Sequence, residues 1–322
     1  MFLKCLKKEA CDFLKGLLIL LVIVGHLLPG SADVGLRGAI YYFHMPLFLG
    51  VTGYFVRRYF LDGGVISVLK KYQWRMIIPY MLAFVVYSVY SLYSSEEVGL
   101  KQFIGLFLYP YYHLWYIPAV IIFVLYTMVI YKSNFLIGFF LFTSAVLSIV
   151  WYCYADTLEN QYAWLKFIGD KRFYYYYSFF LLGFLVGDKN FHGNPLALFA
   201  IALVVGILGY YEPNGALLDA ASWFAFNAAL LLLMVSLCKR LKLRIEGFVV
   251  KMGQVSLPIY LWHVLPILLV GAMADKDTLG FYLSVTAIIF ALVIIFIRLR
   301  GKSRFIDSFF YGERANWLPA EK

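Results

Sequence analysis

The feature that most limits what this chain can fold into is a succession of uninterrupted apolar runs, separated by short polar or basic stretches. Each run is roughly 17–25 residues long, the length a helix needs to cross a bilayer core of about 30 Å. Backbone N–H and C=O groups in lipid must be satisfied internally, so only helices or a closed barrel can span it. A barrel strand alternates over about ten residues, whereas these runs are continuous. Helices are therefore expected. Composition agrees: 63% of the 322 residues are hydrophobic and 14% are charged, against about 25% charged in a soluble domain.

The pattern predicts an all-α polytopic membrane protein with about ten transmembrane helices, over residues 13–29, 36–56, 76–94, 104–131, 134–153, 173–187, 195–211, 220–238, 254–274 and 279–298. Pro110 breaks the fourth run, whose spanning part is expected to start near Leu114. Gly25-His26-Leu27-Leu28-Pro29 lacks the small-residue pattern of a signal-peptide cleavage site, so the first run reads as a retained span. Counting from a cytoplasmic N-terminus places 22 of the 28 Lys and Arg residues inside. Arg37, Lys101, Lys166, Lys171, Arg172 and Lys276 are left outside. Positively charged loops stay cytoplasmic, so this split supports both termini inside. The net charge of +10 then reflects topology and anionic lipid headgroups, and no nucleic-acid partner is expected.

No loop is long enough to form a soluble domain, and no internal repeat or phosphate-binding glycine loop is visible. Residues 1–322 read as a single membrane domain with a cytoplasmic tail at 299–322. Cys5, Cys11 and Cys238 fall at or near the reducing side and Cys153 stands alone near the outer face, so no disulfide is expected. The work of such a chain must be done inside the bundle or at its mouths.

Four of the five histidines, His26, His44, His113 and His263, lie in or beside the apolar runs. An ionisable side chain in a bilayer is costly and marks a functional site by default. Lys15 precedes His26 by eleven residues, about three turns and ~16 Å of helix rise, so both lie on nearly one face. Lysine then sits at the cytoplasmic headgroup level and histidine well inside the membrane. Alone, Lys15 reads as a snorkelling anchor; the pair reads as two ends of a long ligand's site. His44 lies in Tyr41-Tyr42-Phe43-His44-Met45-Pro46-Leu47-Phe48, followed by Gly50, Thr52 and Gly53. Pro46 loosens the backbone and the glycines permit close helix approach. Lys70, Lys71, Gln73 and Arg75 form a cytoplasmic cluster. It reads as positive-inside anchoring or as a phosphate-binding rim. The dense aromatics, such as Phe173-Tyr174-Tyr175-Tyr176-Tyr177, read first as interfacial anchors and second as stacking surfaces for a sugar. No two of the histidines have the i, i+3 or i, i+4 spacing of metal ligands, and no metal is expected.

Together these phrases resemble the acyltransferase 3 family of bacterial membrane acyltransferases, in its fucose and polysaccharide O-acetylase-like branch. The resemblance lies in Lys15–His26 preceded by Asp12, in FHMPLFLGVTGY, in HLWYIPA at His113–Ala119 and in VSLPIYLWH at Val255–His263. The family more often has Arg at the position of Lys15, and Tyr72 stands where its Arg-x-x-Arg pattern begins before Arg75. Lys71 can carry that charge without the bidentate geometry of a guanidinium.

The resemblance implies ten spans and O-acyl transfer, most often acetyl, from cytosolic acyl-CoA to a sugar hydroxyl of a cell-envelope polysaccharide or its lipid-linked precursor. The setting it implies is the bacterial cytoplasmic (inner) membrane. Acetyl-CoA is then a donor substrate, and no cofactor is held tightly. His26 is the expected general base and His44 its helper, orienting the acceptor or stabilising an oxyanion. Lys15, Lys71 and Arg75 are the expected donor-phosphate ligands, and His113, Trp115 and His263 line the acceptor pocket. Direct attack by the hydroxyl is preferred to an acetyl-histidine relay because it needs fewer steps. The alternative reading is a glycolipid transporter or flippase, which calls for repeat symmetry or paired broken helices not visible in the sequence.

Overall fold

The computed structural model describes residues 8–30, 35–93, 105–111, 113–188, 194–211, 215–240, 247–276 and 278–313. Cys5, Lys101 and the tail beyond Glu313 lie outside the described residues. Among the described residues the structure is helical, without strands. Every expected span contains helix: Lys8–Leu27, Gly35–Phe55, Ile78–Tyr93, Tyr116–Ile130, Asn134–Gln161, Tyr177–Asp188, Pro195–Tyr211, Ala216–Arg240, Ser256–Trp262 with Val264–Gly271, and Leu279–Leu299.

Five of these stretches are long and apolar enough to cross a membrane unaided: Glu9–Leu27, Gly64–Tyr93, Asn134–Ala155, Ala216–Lys239 and Leu279–Leu299. A sixth is reached if Phe248–Gln254 and Ser256–Gly271 count as one bent span. This is a multi-pass helical membrane protein. The other expected spans are shorter or more polar helices. Tyr116–Ile130 has 15 residues, about 22 Å of rise. Gly35–Phe55 has 21 residues, so it is not length but polar side chains, Arg37, His44 and three tyrosines among them, that keep it out of that set.

The described residues fall into two compact units, each assembled from separate stretches of chain. One, here the histidine unit, is drawn from Lys7–His44, Leu69–Glu97 and Leu243–Lys322. The other, the aromatic unit, is drawn mainly from Met45–Val68 and Val98–Lys242. The Gly35–Phe55 helix gives residues to both, because the division falls between His44 and Met45.

In the aromatic unit, the glycines of the second expected span do bring helices close. A Cβ on Gly53 would overlap the Phe180 carbonyl, and one on Gly183 would overlap that of Gly50. The Gly35–Phe55 and Tyr177–Asp188 helices therefore touch backbone to backbone, the contact that small residues make possible in a membrane. Pro195–Tyr211 packs along Ala216–Arg240, which also meets Asn134–Gln161.

The histidine unit departs from the expected outline in two places. The third span is not preceded by a loop through Arg75: helix runs from Gly64 to Tyr93, with a π-helical turn at Gln73–Ile77. The ninth span is bent by 77° between Gln254 and Ser256. Pro258 explains the bend, because it offers no N–H to the Gln254 carbonyl and its ring crowds that position; Val255 leaves the helical region at φ −114°, ψ 24°. Pro266 acts likewise on the Trp262 carbonyl, and the helix is interrupted at His263. The segment before the bend, Phe248–Gln254, was expected as cytoplasmic loop and instead packs along Lys8–Leu27. A Cβ on Gly16 would overlap the Val249 carbonyl, and one on Gly253 would overlap that of Asp12. Residue 12 meets 253 and residue 16 meets 249, so the two helices run antiparallel.

Candidate active site

Three histidines gather in the histidine unit. His26 lies in the last turn of Lys8–Leu27, where Gly25 makes room beside it. A Cβ on Gly25 would stand 3.0 Å from the ring of Tyr41. The Tyr41 hydroxyl is hydrogen-bonded to Nδ1 of His26 at 3.0 Å. Tyr41 also packs edge-to-face on His44, with centroids 4.9 Å apart. The broken helix delivers the third imidazole: the His263 and His26 rings are 5.2 Å apart and tilted by 36°. Three stretches distant in sequence thus meet around one ring.

Hydrogen bonding sorts these imidazoles by role. A carbonyl oxygen only accepts, so Nδ1 of His44, 2.7 Å from the Ile40 carbonyl, is the protonated nitrogen. Nδ1 of His263 likewise donates to the carbonyls of Tyr260, at 2.8 Å, and Ile259. In both neutral rings Nε2 therefore carries the lone pair. His26 is bonded to a hydroxyl, which can donate or accept, so its tautomer is not dictated by the backbone. Exposure separates them too: His44 is 3% exposed and His263 fully buried, whereas His26 is half-buried. His26 is the least buried imidazole of the three.

Lys15 is half-buried on the same helix, with Nζ 3.5 Å from Oδ1 of Asp12, a residue itself 5% exposed. The Asp12–Lys15–Gly16 phrase thus has a local logic: the carboxylate steadies the ammonium while the glycine lets Phe248–Gln254 approach. Lys71 and Arg75 are exposed, the first just before the π-helical turn and the second inside it. Lys15, Lys71, Arg75, His26, His44 and His263 therefore all belong to one unit.

His113 and Trp115 belong to the aromatic unit. Both are buried, at 3% and 5% exposure. The Arg172 guanidinium lies over the Trp115 ring at 4.7 Å, and Tyr176 stacks on it with centroids 5.6 Å apart. Arg172 is also paired with Asp170 through Nε at 2.8 Å and through Nη2. Among the described residues no group of three or more His, Cys, Asp or Glu is arranged to hold a metal ion. Sequence reasoning overlooked Tyr41. The signal was present, since Tyr41 precedes His44 by three residues and so shares its helix face.

The comparisons with known proteins bear on this geometry. An acyltransferase-domain family model matches residues 8–298, which include every candidate residue above. Two curated relatives are both named Nodulation protein NolL. The Mesorhizobium japonicum protein is 26% identical over 91% of this chain and 86% of its own length. The Sinorhizobium fredii protein is 29% identical over 54% of this chain. The chain spans about half the length of that second relative, 47%. No solved structure matches. A matched domain running from the first helix to the end of Leu279–Leu299, in a helical multi-pass membrane protein with its histidines gathered in one unit, places this chain in the acyltransferase 3 family.

Proposed function

We propose that this membrane acyltransferase is an O-acetyltransferase that moves an acetyl group from cytosolic acyl-CoA to a sugar hydroxyl of a cell-envelope polysaccharide or its lipid-linked precursor, in the bacterial cytoplasmic membrane. One observation carries the reading. His26 is the least buried imidazole of the cluster, and Lys15 lies three turns before it on the same helix face.

In this reading the donor's phosphates bind Lys15, Lys71 and Arg75, and its thioester reaches toward His26. Nε2 of His26 takes the proton of the acceptor hydroxyl as the oxygen attacks the thioester carbonyl. The tetrahedral intermediate then expels the CoA thiolate, which recovers the proton from the imidazolium. The products are the O-acetyl ester and free CoA. For Nε2 to act as base, Nδ1 must carry the other proton and donate it to the Tyr41 oxygen, which can accept it. His44, with its lone pair at Nε2, is suited to accept from the acceptor hydroxyl and orient it. His263 packs behind the His26 ring and limits its rotation. His113 and Trp115 are the further candidates for acceptor recognition.

The test is transfer of label from acetyl-CoA into envelope glycan by membranes with and without the protein. Label should depend on the protein and vanish with His26→Ala while the variant remains inserted and folded. Label that survives this substitution would overturn the assignment of His26.

A further inference from the structure

We propose that the carboxy-terminal segment Arg304–Glu313 is part of the acyl-donor site, with Gly312 as the positioning residue that holds the Arg75 turn in place. The proposal rests on the reading of Lys71 and Arg75 as donor-phosphate ligands. Arg75 stands in a π-helical turn, Gln73–Ile77. Such turns are rare single-turn departures from α-helix and concentrate at functional sites. A turn of this kind needs neighbours that favour it over the α-helical register on either side.

Gly312 is that neighbour. It has φ +67°, and a Cβ there would overlap the carbonyl oxygen, carbon and Cα of Arg75. Two independent constraints thus demand glycine: a left-handed backbone, and backbone-to-backbone contact on the π-helical turn. The helix Arg304–Phe310 packs on the same turn and on Ile78–Tyr93.

The segment is fastened along its length. The Tyr311 hydroxyl donates to the Phe296 carbonyl at 2.5 Å. Arg300 meets Oε1 of Glu313 through Nε at 3.0 Å and Nη2 at 2.8 Å. Oδ1 of Asp307 accepts from the Gly301 N–H at 2.9 Å, and Ser308 donates to the Glu313 carbonyl. The Phe310 ring lies 6.0 Å from that of Trp262, the residue before His263. One short segment therefore touches both the turn carrying Arg75 and the residue adjoining the histidine cluster. It also lies beyond the matched acyltransferase domain, which ends at residue 298. This segment, the clasp, acts on the donor rim through its contact with the Arg75 turn.

The experiment uses the full chain purified into lipid nanodiscs, with acetyl-CoA kinetics and thermal midpoints measured on each variant. Gly312→Ala should raise KM for acetyl-CoA about tenfold and leave kcat within about twofold, the pattern of lost donor binding. Glu313→Arg, which breaks the tie without touching the turn, should raise KM about threefold, and adding Arg300→Glu should restore it by reversing the pair. This charge swap decides the matter if Gly312→Ala does not fold. Arg75→Ala separates the two levels of the proposal. If it leaves KM unchanged, the donor-site reading itself fails. If Arg75→Ala raises KM while Gly312→Ala and Glu313→Arg leave it unchanged, the clasp is overturned and the donor-site reading stands. A lowered thermal midpoint without a KM effect also overturns it, since the segment would then be only a structural tie.

Discussion

The two units of this protein handle polar groups in opposite ways. In the aromatic unit, charges are spent on one another. Arg172 is paired with Asp170 and covers Trp115. Arg58 binds Asp188 at 2.8 Å, the Tyr131 carbonyl and Asn134. Around them Trp223 stacks between tyrosines, 5.3 Å from Tyr175 and 4.9 Å from Tyr152. In the histidine unit, backbone carbonyls hold one nitrogen of His44 and of His263 and so leave the lone pair on the other. The first arrangement pairs charged side chains with one another; the second fixes neutral imidazoles through the backbone. Family membership says that chemistry occurs in this chain, and the proposed function places it in the histidine unit.

If that division is right, substitutions in the histidine unit should read out in turnover and those in the aromatic unit in stability. The largest effect expected is that of His26→Ala, which should lower kcat for acetyl transfer by about 10²–10⁴-fold, the usual share of a general base. Its thermal midpoint should stay near that of the parent. Next, Trp223→Leu removes a stacked ring that is 3% exposed and should cost roughly 2 kcal/mol of stability. Turnover per folded molecule should be unchanged; a large fall in kcat at full stability would break the comparison.

Two smaller effects sharpen it. Tyr41→Phe removes the hydroxyl that fixes His26 and should lower kcat about tenfold with KM little altered. A change in KM alone would move Tyr41 from orienting the base to binding substrate. Arg172→Lys keeps the charge over Trp115 but loses the forked contact to Asp170. Because the Arg172 side chain is 32% exposed, the expected loss of stability is only about 0.5–1 kcal/mol. A loss of acetyl transfer out of proportion to that would show that the aromatic unit contributes chemistry.

How much of this was legible in the sequence differs from element to element. The apolar runs foretold helices because lipid allows no other use of a continuous apolar backbone, and each expected span does contain helix. Gly50 and Gly53 foretold the close approach of two helices, which their contacts with the Gly183 and Phe180 region bear out. The bend at Val255 was signalled by Pro258, yet proline in a membrane helix can kink, break or be tolerated, and its sequence does not say which. Tyr41 stood in plain view three residues before His44, but only the approach of Gly25 places its hydroxyl on His26. The π-helical turn at Gln73–Ile77 has no sequence signature of its own; it depends on what packs against it.

The sequence by itself determined the class of molecule, the approximate positions of its helices and which ionisable residues stand in costly places. Those follow from transfer free energies and helix geometry, which act locally and need no knowledge of neighbours. Only the tertiary structure decided which histidines meet. His26, His44 and His263 share one unit, and His113 lies in the other, although all four looked alike as entries in apolar runs. The tertiary structure also made Phe248–Gln254 a packed helix and joined Gly312 to Arg75. Such contacts depend on backbones coming together from distant parts of the chain. Their presence is set by what every intervening element packs against, and no local pattern encodes that.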